Sequence, residues 1–328
     1  MQQRDNPFEP DQDEALFAVP GSGQNGGMND LNAPVPYMAR TRTYYLALGY
    51  NNPYKWAHFD DVPFQPLTQP LAGLRVTLVT TAAPFQPDKG PQGPRAPYNA
   101  GPKFYQVYSG DTAHDHDVRV AHVAIDRKHT HMEDRNSWFP LPVMRRLAQS
   151  GRFVLAPRFH GVPTNRSQRH TLEVDVPELI RRCREDGVDA ALLVPNCPIC
   201  HQSLSLAARE LERAGISTVV MGCARDVVEH CGVPRLLFSD FPLGNGAGKP
   251  HDSSGQQQTL ELALQLLEQA REARTTWASP QVWSEDPHWK LDYANPERMS
   301  EAELKAAWEE AEKIRIEAKA LRVQTLNR

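Results

Sequence analysis

Asp189-Ala190-Ala191-Leu192-Leu193-Val194-Pro195-Asn196-Cys197-Pro198-Ile199-Cys200-His201-Gln202 joins an apolar run to a helix through a turn that carries two cysteines and a histidine. The run Ala190 to Val194 is short, apolar throughout and closed by a proline, the pattern of a strand covered on both faces. Ser203 to Ala214 continues as a helix, and Gly215 stands where a helix ends in the left-handed conformation. The first amides of a helix lack partners and its dipole is positive at that end, so a thiolate there is stabilised and the cysteine acidified.

The same alternation extends outward in both directions. Downstream come a strand at Ile216 to Met221, a helix at Ala224 to Cys231, a strand at Arg235 to Ser239 and a long amphipathic helix at Gln256 to Ala273. Upstream, Leu74 to Thr80 and Phe153 to Pro157 read as strands, and Val118 to Ile125 alternates like another. Leu141 to Ser150 and Asp175 to Glu185 read as helices, the second stopped by Gly187. Strands and helices joined by short Gly-bounded turns predict an α/β fold: a parallel or mostly parallel sheet with helices on both faces. Ligands of such sheets bind at the carboxyl ends of the strands. Cys197, Cys223 and Asp240 each follow directly on a strand, which places them at that edge.

The flanks differ in composition. Residues 1–70 read as an irregular arm rich in Pro, Gly and aromatics. Its first thirty or so residues predict a flexible or draped segment, and Tyr37 to Phe64 has the aromatic content of a segment packed on the main domain or on a partner subunit. Residues 71–275 form the α/β catalytic core, interrupted at 84–103 by a Pro- and Gly-rich loop of the length that lids and binding segments have. Residues 276–328 supply an aromatic linker and a long, charged C-terminal helix opened by Ser300 and Glu303, a capping box.

The chain has 328 residues, a formal net charge of −4 and a sequence pI of about 6.3, with no basic footprint for nucleic acid. No apolar run approaches the roughly 20 residues that span a bilayer, and the polar start lacks a signal-peptide core. These features predict a cytoplasmic protein. Five cysteines make an odd count in so long a chain, which points to core fillers, metal ligands or reactive thiols rather than a disulfide framework.

Several groups can carry chemistry. Cys197-Pro198-Ile199-Cys200 is a CxxC at a strand-to-helix junction, read foremost as a nucleophile with a resolving thiol; part of a metal site with His201, or two small buried residues, are the alternatives. His129, His131 and Glu133 lie in a dense polar cluster able to bind substrate, hold a metal or move protons. His160, beside Gly161, is a loop candidate for substrate contact, with a turn-stabilising histidine as an equal alternative. Arg225, at a strand-to-helix junction, could bind a carboxylate or phosphate; an Arg225–Asp226 capping arrangement is the alternative. The loop Asp240 to Pro250 is Gly-rich but lacks P-loop spacing, and is read as an anion-binding nest or a turn. No GxGxxG follows a strand, so no nicotinamide or flavin site is expected.

Taken in order, Leu193 to Gln202, Gly222-Cys223-Ala224-Arg225-Asp226-Val227-Val228-Glu229, Gly232-Val233-Pro234-Arg235 and Asp240-Phe241-Pro242-Leu243-Gly244-Asn245 resemble the selenoprotein B subunits of glycine, sarcosine, betaine and D-proline reductases, above all the D-proline type. The resemblance covers about residues 40 to 275. In that family a selenocysteine at the first motif position attacks the α-carbon, cleaves a C–N bond reductively and is regenerated through a mixed selenide–sulfide. The resemblance therefore implies Cys197 as nucleophile and Cys200 as resolving thiol, with His201 beside them and Asn245 among the substrate-binding residues. Sulfur stands here where the family has selenium, and Gly246-Ala247 stands in place of Pro-Cys. The D-proline enzyme also uses a pyruvoyl subunit, for which this chain has no evident source; a partner chain or another substrate is implied.

The combined expectation is a thiol-dependent reductase that cleaves a C–N or related bond of a small, amino-acid-like, carboxylate-bearing molecule. An external dithiol or thioredoxin-like protein would reduce it, with no firm cofactor. A homo-oligomer or a partner subunit is expected, and neither nucleic acid nor membrane. The alternatives are an iron or zinc enzyme with Cys and His ligands, and a non-catalytic subunit of a reductase complex.

Overall fold

The computed structural model describes residues 30–50, 54–164 and 167–326; the expected draped segment before residue 30 lies outside them. Ten strands are labelled in chain order: β1 (Arg75–Thr80), β2 (Ala83–Pro84), β3 (Tyr108–Asp111), β4 (Val118–Arg119), β5 (Val154–Leu155), β6 (Arg158–Gly161), β7 (Ala190–Val194), β8 (Ser217–Gly222), β9 (Arg235–Phe238) and β10 (Thr275–Ala278). The helices are α1 (Tyr37–Ala47), α2 (Leu141–Gln149), α3 (Val176–Glu185), α4 (Pro198–Arg213), α5 (Arg225–Cys231), α6 (Ser253–Gln269) and α7 (Glu301–Leu326). A short helical lead-in, Gln168–His170 and Thr171–Asp175, runs into α3.

The main sheet has the order β10-β9-β8-β7-β1-β6-β3, with β5 also on β1. Every pairing is parallel except β3 with β6. From β1 the chain leaves toward β5 and β6; from β7 it proceeds the other way through β8 and β9 to β10. The crossovers therefore part between β1 and β7, and at such a switch point the carboxyl ends of the strands leave a crevice.

Both faces are covered, as expected. Val76 and Leu78 of β1, with Leu192 of β7 and Val219 and Met221 of β8, pack against α2 and α6 through Leu141, Met144, Leu260 and Leu264. The alternate residues Val79, Ala191, Leu193 and Val220 pack against α3 and α4 through Leu179, Leu204 and Leu211. This double coverage explains why β7 reads as a continuous apolar run: each of its five residues is buried. Gly187 and Gly215 end α3 and α4 with φ of 62° and 88°, the left-handed region open to glycine without a Cβ penalty.

Three expectations are corrected. Val118 to Ile125 is not a strand beyond the two-residue bridge of β4 with β2. Its apolar side chains are buried in loop conformation, because Arg127 donates to the carbonyls of Ala121 and Val123 that a neighbouring strand would otherwise have paired. The arm is not irregular throughout: 37–47 lacks Pro and Gly and forms α1, held where the Met38 amide donates to Asp226 at 2.8 Å. His160 lies inside β6, not in a loop after it. Among the described residues no helix is long and apolar enough to cross a membrane.

Candidate active site

Cys197 is the N-cap of α4, in extended conformation, and Pro198 occupies the first turn, where a missing N–H costs nothing. The amide of Cys200 donates to the Cys197 sulfur at 3.2 Å, and the two sulfurs are joined as a disulfide with Cα atoms 4.8 Å apart. Both residues are buried in the apolar cluster that includes Val120, Ile125, Met132 and Trp138. This is the carboxyl edge of β7, beside the end of β1. Asn196 is tied across the switch point, its backbone and side-chain N–H groups both donating to the Thr81 hydroxyl at 3.2 Å.

His201 is fully buried and engaged at both ring nitrogens. Nδ1 donates to the Cys197 carbonyl at 2.7 Å, and Nε2 accepts from the amides of Cys223 and Ala224 at 3.0 and 3.2 Å. Burial pushes its pKa down to about 4, so it is neutral. The ring rests on Gly222, where a Cβ would come within 2.7 Å of it. His201 thus pins the cysteine turn to the β8–α5 turn and has no nitrogen free for proton transfer. Cys223, behind it, is a buried thiol pushed up to about 12 by desolvation.

The other expected residues divide. His131, Glu133 and Thr130 line a cavity of about 640 Å³ together with residues 92–97 of the long Pro- and Gly-rich loop. Asn245 reaches its wall, accepting from the Thr130 hydroxyl at 3.3 Å while donating to the Pro242 carbonyl. Val120, Ile125, Met132 and Trp138 both line the cavity and share the apolar cluster of Cys197 and Cys200. Glu133 pairs with Arg95 at 2.8 Å, which holds its carboxyl below the usual range. His129 turns instead to Asp292, at 2.9 Å, and sets its edge on Trp289. His160 faces Ser109 at 2.9 Å and Asp186 at 3.6 Å, and burial pushes its pKa down to about 4. Arg225 is half-exposed and pairs with Glu229 one turn on. The loop 240–248 is packed rather than open: Gly246 lies against the Met221 carbonyl, and the Ala247 amide donates to the Ser137 carbonyl. Among the described residues no three His, Cys, Asp or Glu side chains converge as metal ligands.

Sequence reasoning missed two features. The first is the basic character of the cavity wall: Arg95, Arg119, Arg127 and Arg135 all line it. They are spread over forty positions, and only the loop 84–103 hinted at a chamber. The second is His122, buried against Phe104, its pKa pushed down to about 3 by burial. Its place in an apparent strand disguised it.

The chain is 33% identical over 207 residues to the D-proline reductase subunit gamma of Acetoanaerobium sticklandii, covering 62% of this chain and 81% of that protein. It is 26% identical over 227 residues to a glycine reductase complex component B subunit gamma of Symbiobacterium thermophilum, and 25% identical over 193 residues to a sarcosine reductase complex component B subunit beta of Peptoclostridium acidaminophilum. It covers 66% of its own length and 52% of the former, and 58% of its own length and 44% of the latter, so it spans about half of each of those two relatives. No family model and no solved structure matches it. By its similarity to the D-proline reductase subunit over most of that protein's length, the chain belongs to the family of B-component subunits of the D-proline, glycine and sarcosine reductase complexes.

Proposed function

We propose that the protein is the thiol-bearing subunit of a reductase that cleaves a C–N or related C–X bond of a small carboxylate-bearing molecule. A reductase-type role follows from the family. The observation that carries the finer reading is the bonded pair of sulfurs at the first turn of α4, on the carboxyl edge of the sheet. In the reduced protein the Cys197 thiolate, stabilised by the helix start, attacks the substrate carbon; an S–C bond forms and the C–X bond breaks with its electron pair on X, which takes a proton. The Cys200 thiolate then attacks the Cys197 sulfur. Carbon leaves with the S–C pair and a proton, and the disulfide remains. An external dithiol of the thioredoxin kind returns the pair to two thiols, and a partner subunit activates the amine where the substrate needs it. His131, Glu133 and Asn245 contact substrate in the cavity. His201 positions the cysteine turn.

The test is mass spectrometry of the Cys197 peptide from a Cys200→Ser variant incubated with amino-acid-like substrates. Without the resolving thiol, the covalent adduct should accumulate. Fully reduced Cys197 with no adduct, in the presence of a substrate that wild type turns over, would overturn covalent catalysis.

A further inference from the structure

The reactivity of Cys197 depends on where its sulfur sits against the first turn of α4, and the backbone on either side of it sets that place. On the C-terminal side the helix holds it. The Cys197 carbonyl accepts from the His201 amide at 2.9 Å and from its Nδ1 at 2.7 Å, and the sulfur accepts from the Cys200 amide at 3.2 Å. On the N-terminal side the sheet has run out. The ladder between β1 and β7 ends with Thr80 opposite Val194. Pro195 has no N–H to give, and Asn196 is completely buried past the end of that ladder.

One side chain stands in for the ladder there. Thr81, the residue after β1, is also completely buried, and its hydroxyl accepts from the Asn196 amide and from the Asn196 side-chain N–H, both at 3.2 Å. Its neighbour Thr80 is committed elsewhere, its hydroxyl taking the Ala82 amide at 3.1 Å. A buried donor is costly to leave unpaired, and Thr81 satisfies two of them in the residue that precedes Cys197. Cys197 is the N-cap, extended with φ of −135° and ψ of 171°. A rotation of the peptide between residues 196 and 197 therefore swings its sulfur away from the Cys200 amide.

We infer that Thr81 is a positioning residue for Cys197: by holding both N–H groups of Asn196 it keeps the Cys197 sulfur aimed at the start of α4, where the attacking thiolate is stabilised. The inference rests on the thiol reading of this site and deepens it, because it assigns a part in the reactivity of Cys197 to a side chain on the neighbouring strand end, 115 positions from Asn196 in the chain. The role belongs to the hydroxyl and not to the methyl group of Thr81, which makes the two separable by substitution.

The experiment is the pH dependence of iodoacetamide labelling of Cys197 in the reduced full chain, read by mass spectrometry of its peptide. Thr81→Val keeps the shape of the side chain and strands both donors. Its labelling midpoint should rise by about one pH unit, roughly a tenfold loss of labelling rate at neutral pH. Thr81→Ser keeps the hydroxyl and should label like wild type, which a packing role alone would not give. Asn196→Ala removes one of the two bonds and should raise the midpoint by a smaller amount, so it carries the test where Thr81→Val does not fold. A wild-type midpoint in folded Thr81→Val or in Asn196→Ala, or a raised one in Thr81→Ser, would overturn the inference. No substrate enters this measurement, so the shift can be found where the covalent adduct of Cys197 is not, and the adduct where the shift is not.

Discussion

At the scale of single residues, His201 shows how a motif position can matter through geometry instead of reactivity. It stands next to the cysteine pair in the sequence and looks like a proton carrier. The fold uses it as a neutral strut, with Nδ1–H on one turn and Nε2 receiving two amides of the next. Burial holds its pKa at about 4, against about 6.5 in an unfolded chain. Between those values the unfolded chain binds the proton more tightly. His201 therefore subtracts stability as pH falls through that window, by at most about 3 kcal/mol, and has no pH-dependent effect above it. Denaturant melts of wild type and His201→Gln from pH 4 to 7 should show the variant with the shallower loss on acidification. Equal slopes would refute the buried neutral assignment. Cys197 and Cys200 are the opposite case, since their spacing, their proline and the helix after them were all legible. His160 and Arg225 were plausible by residue type alone; the fold sets His160 on Ser109 near Asp186 and pairs Arg225 with Glu229.

At the scale of elements, α4 does more than present the cysteines. Segment 54–67 wraps along it, anchored at Gln202, Arg209 and Glu212. The Gln202 side chain takes the Ala57 amide at 2.7 Å and reaches the Tyr54 hydroxyl. Arg209 lies over the Phe59 ring at 4.0 Å. Glu212, completely buried, receives the Gln65 amide, the Thr218 amide and hydroxyl, and Arg235. Arg235 is equally buried and returns a bond to the Gln65 carbonyl at 2.8 Å. Removing one partner strands the other charge, so Glu212→Ala should cost about 3–5 kcal/mol. Its first sign should be faster amide exchange over residues 57–67. The double change Glu212→Leu with Arg235→Met should recover much of that loss, because it removes both charges together; a double variant as unstable as the single one would contradict this account. The aromatic density of the arm predicted that it packs on something. What it packs on was not readable, since its anchors lie about 145–170 positions away.

At the scale of the whole molecule, a covered parallel sheet carries the cooperative core, and α7 lies at its margin. Over residues 301–313 the side chains are exposed or half-exposed, and Trp308 is 47% exposed. A tie to the rest is the Tyr50 hydroxyl donating to Glu312 at 2.8 Å. Deleting residues 301–328 should leave a single cooperative transition and change stability by no more than about 1 kcal/mol, as expected for the loss of surface contacts. A broad or split transition would show that α7 belongs to the core.

The division between what was readable and what was not follows from range. Helix and strand periodicity, glycine stops, the buried character of β7 and the place of Cys197 at a helix start are properties of neighbours in the chain. Sequence alone therefore determined the α/β class, the parallel sheet and the turn that carries the sulfurs. The basic cavity wall, the pairing of Arg95 with Glu133 and the locking of His201 arise where segments apart in sequence converge. Electrostatics and hydrogen bonding act through space, so tertiary structure alone decided which charged groups found partners.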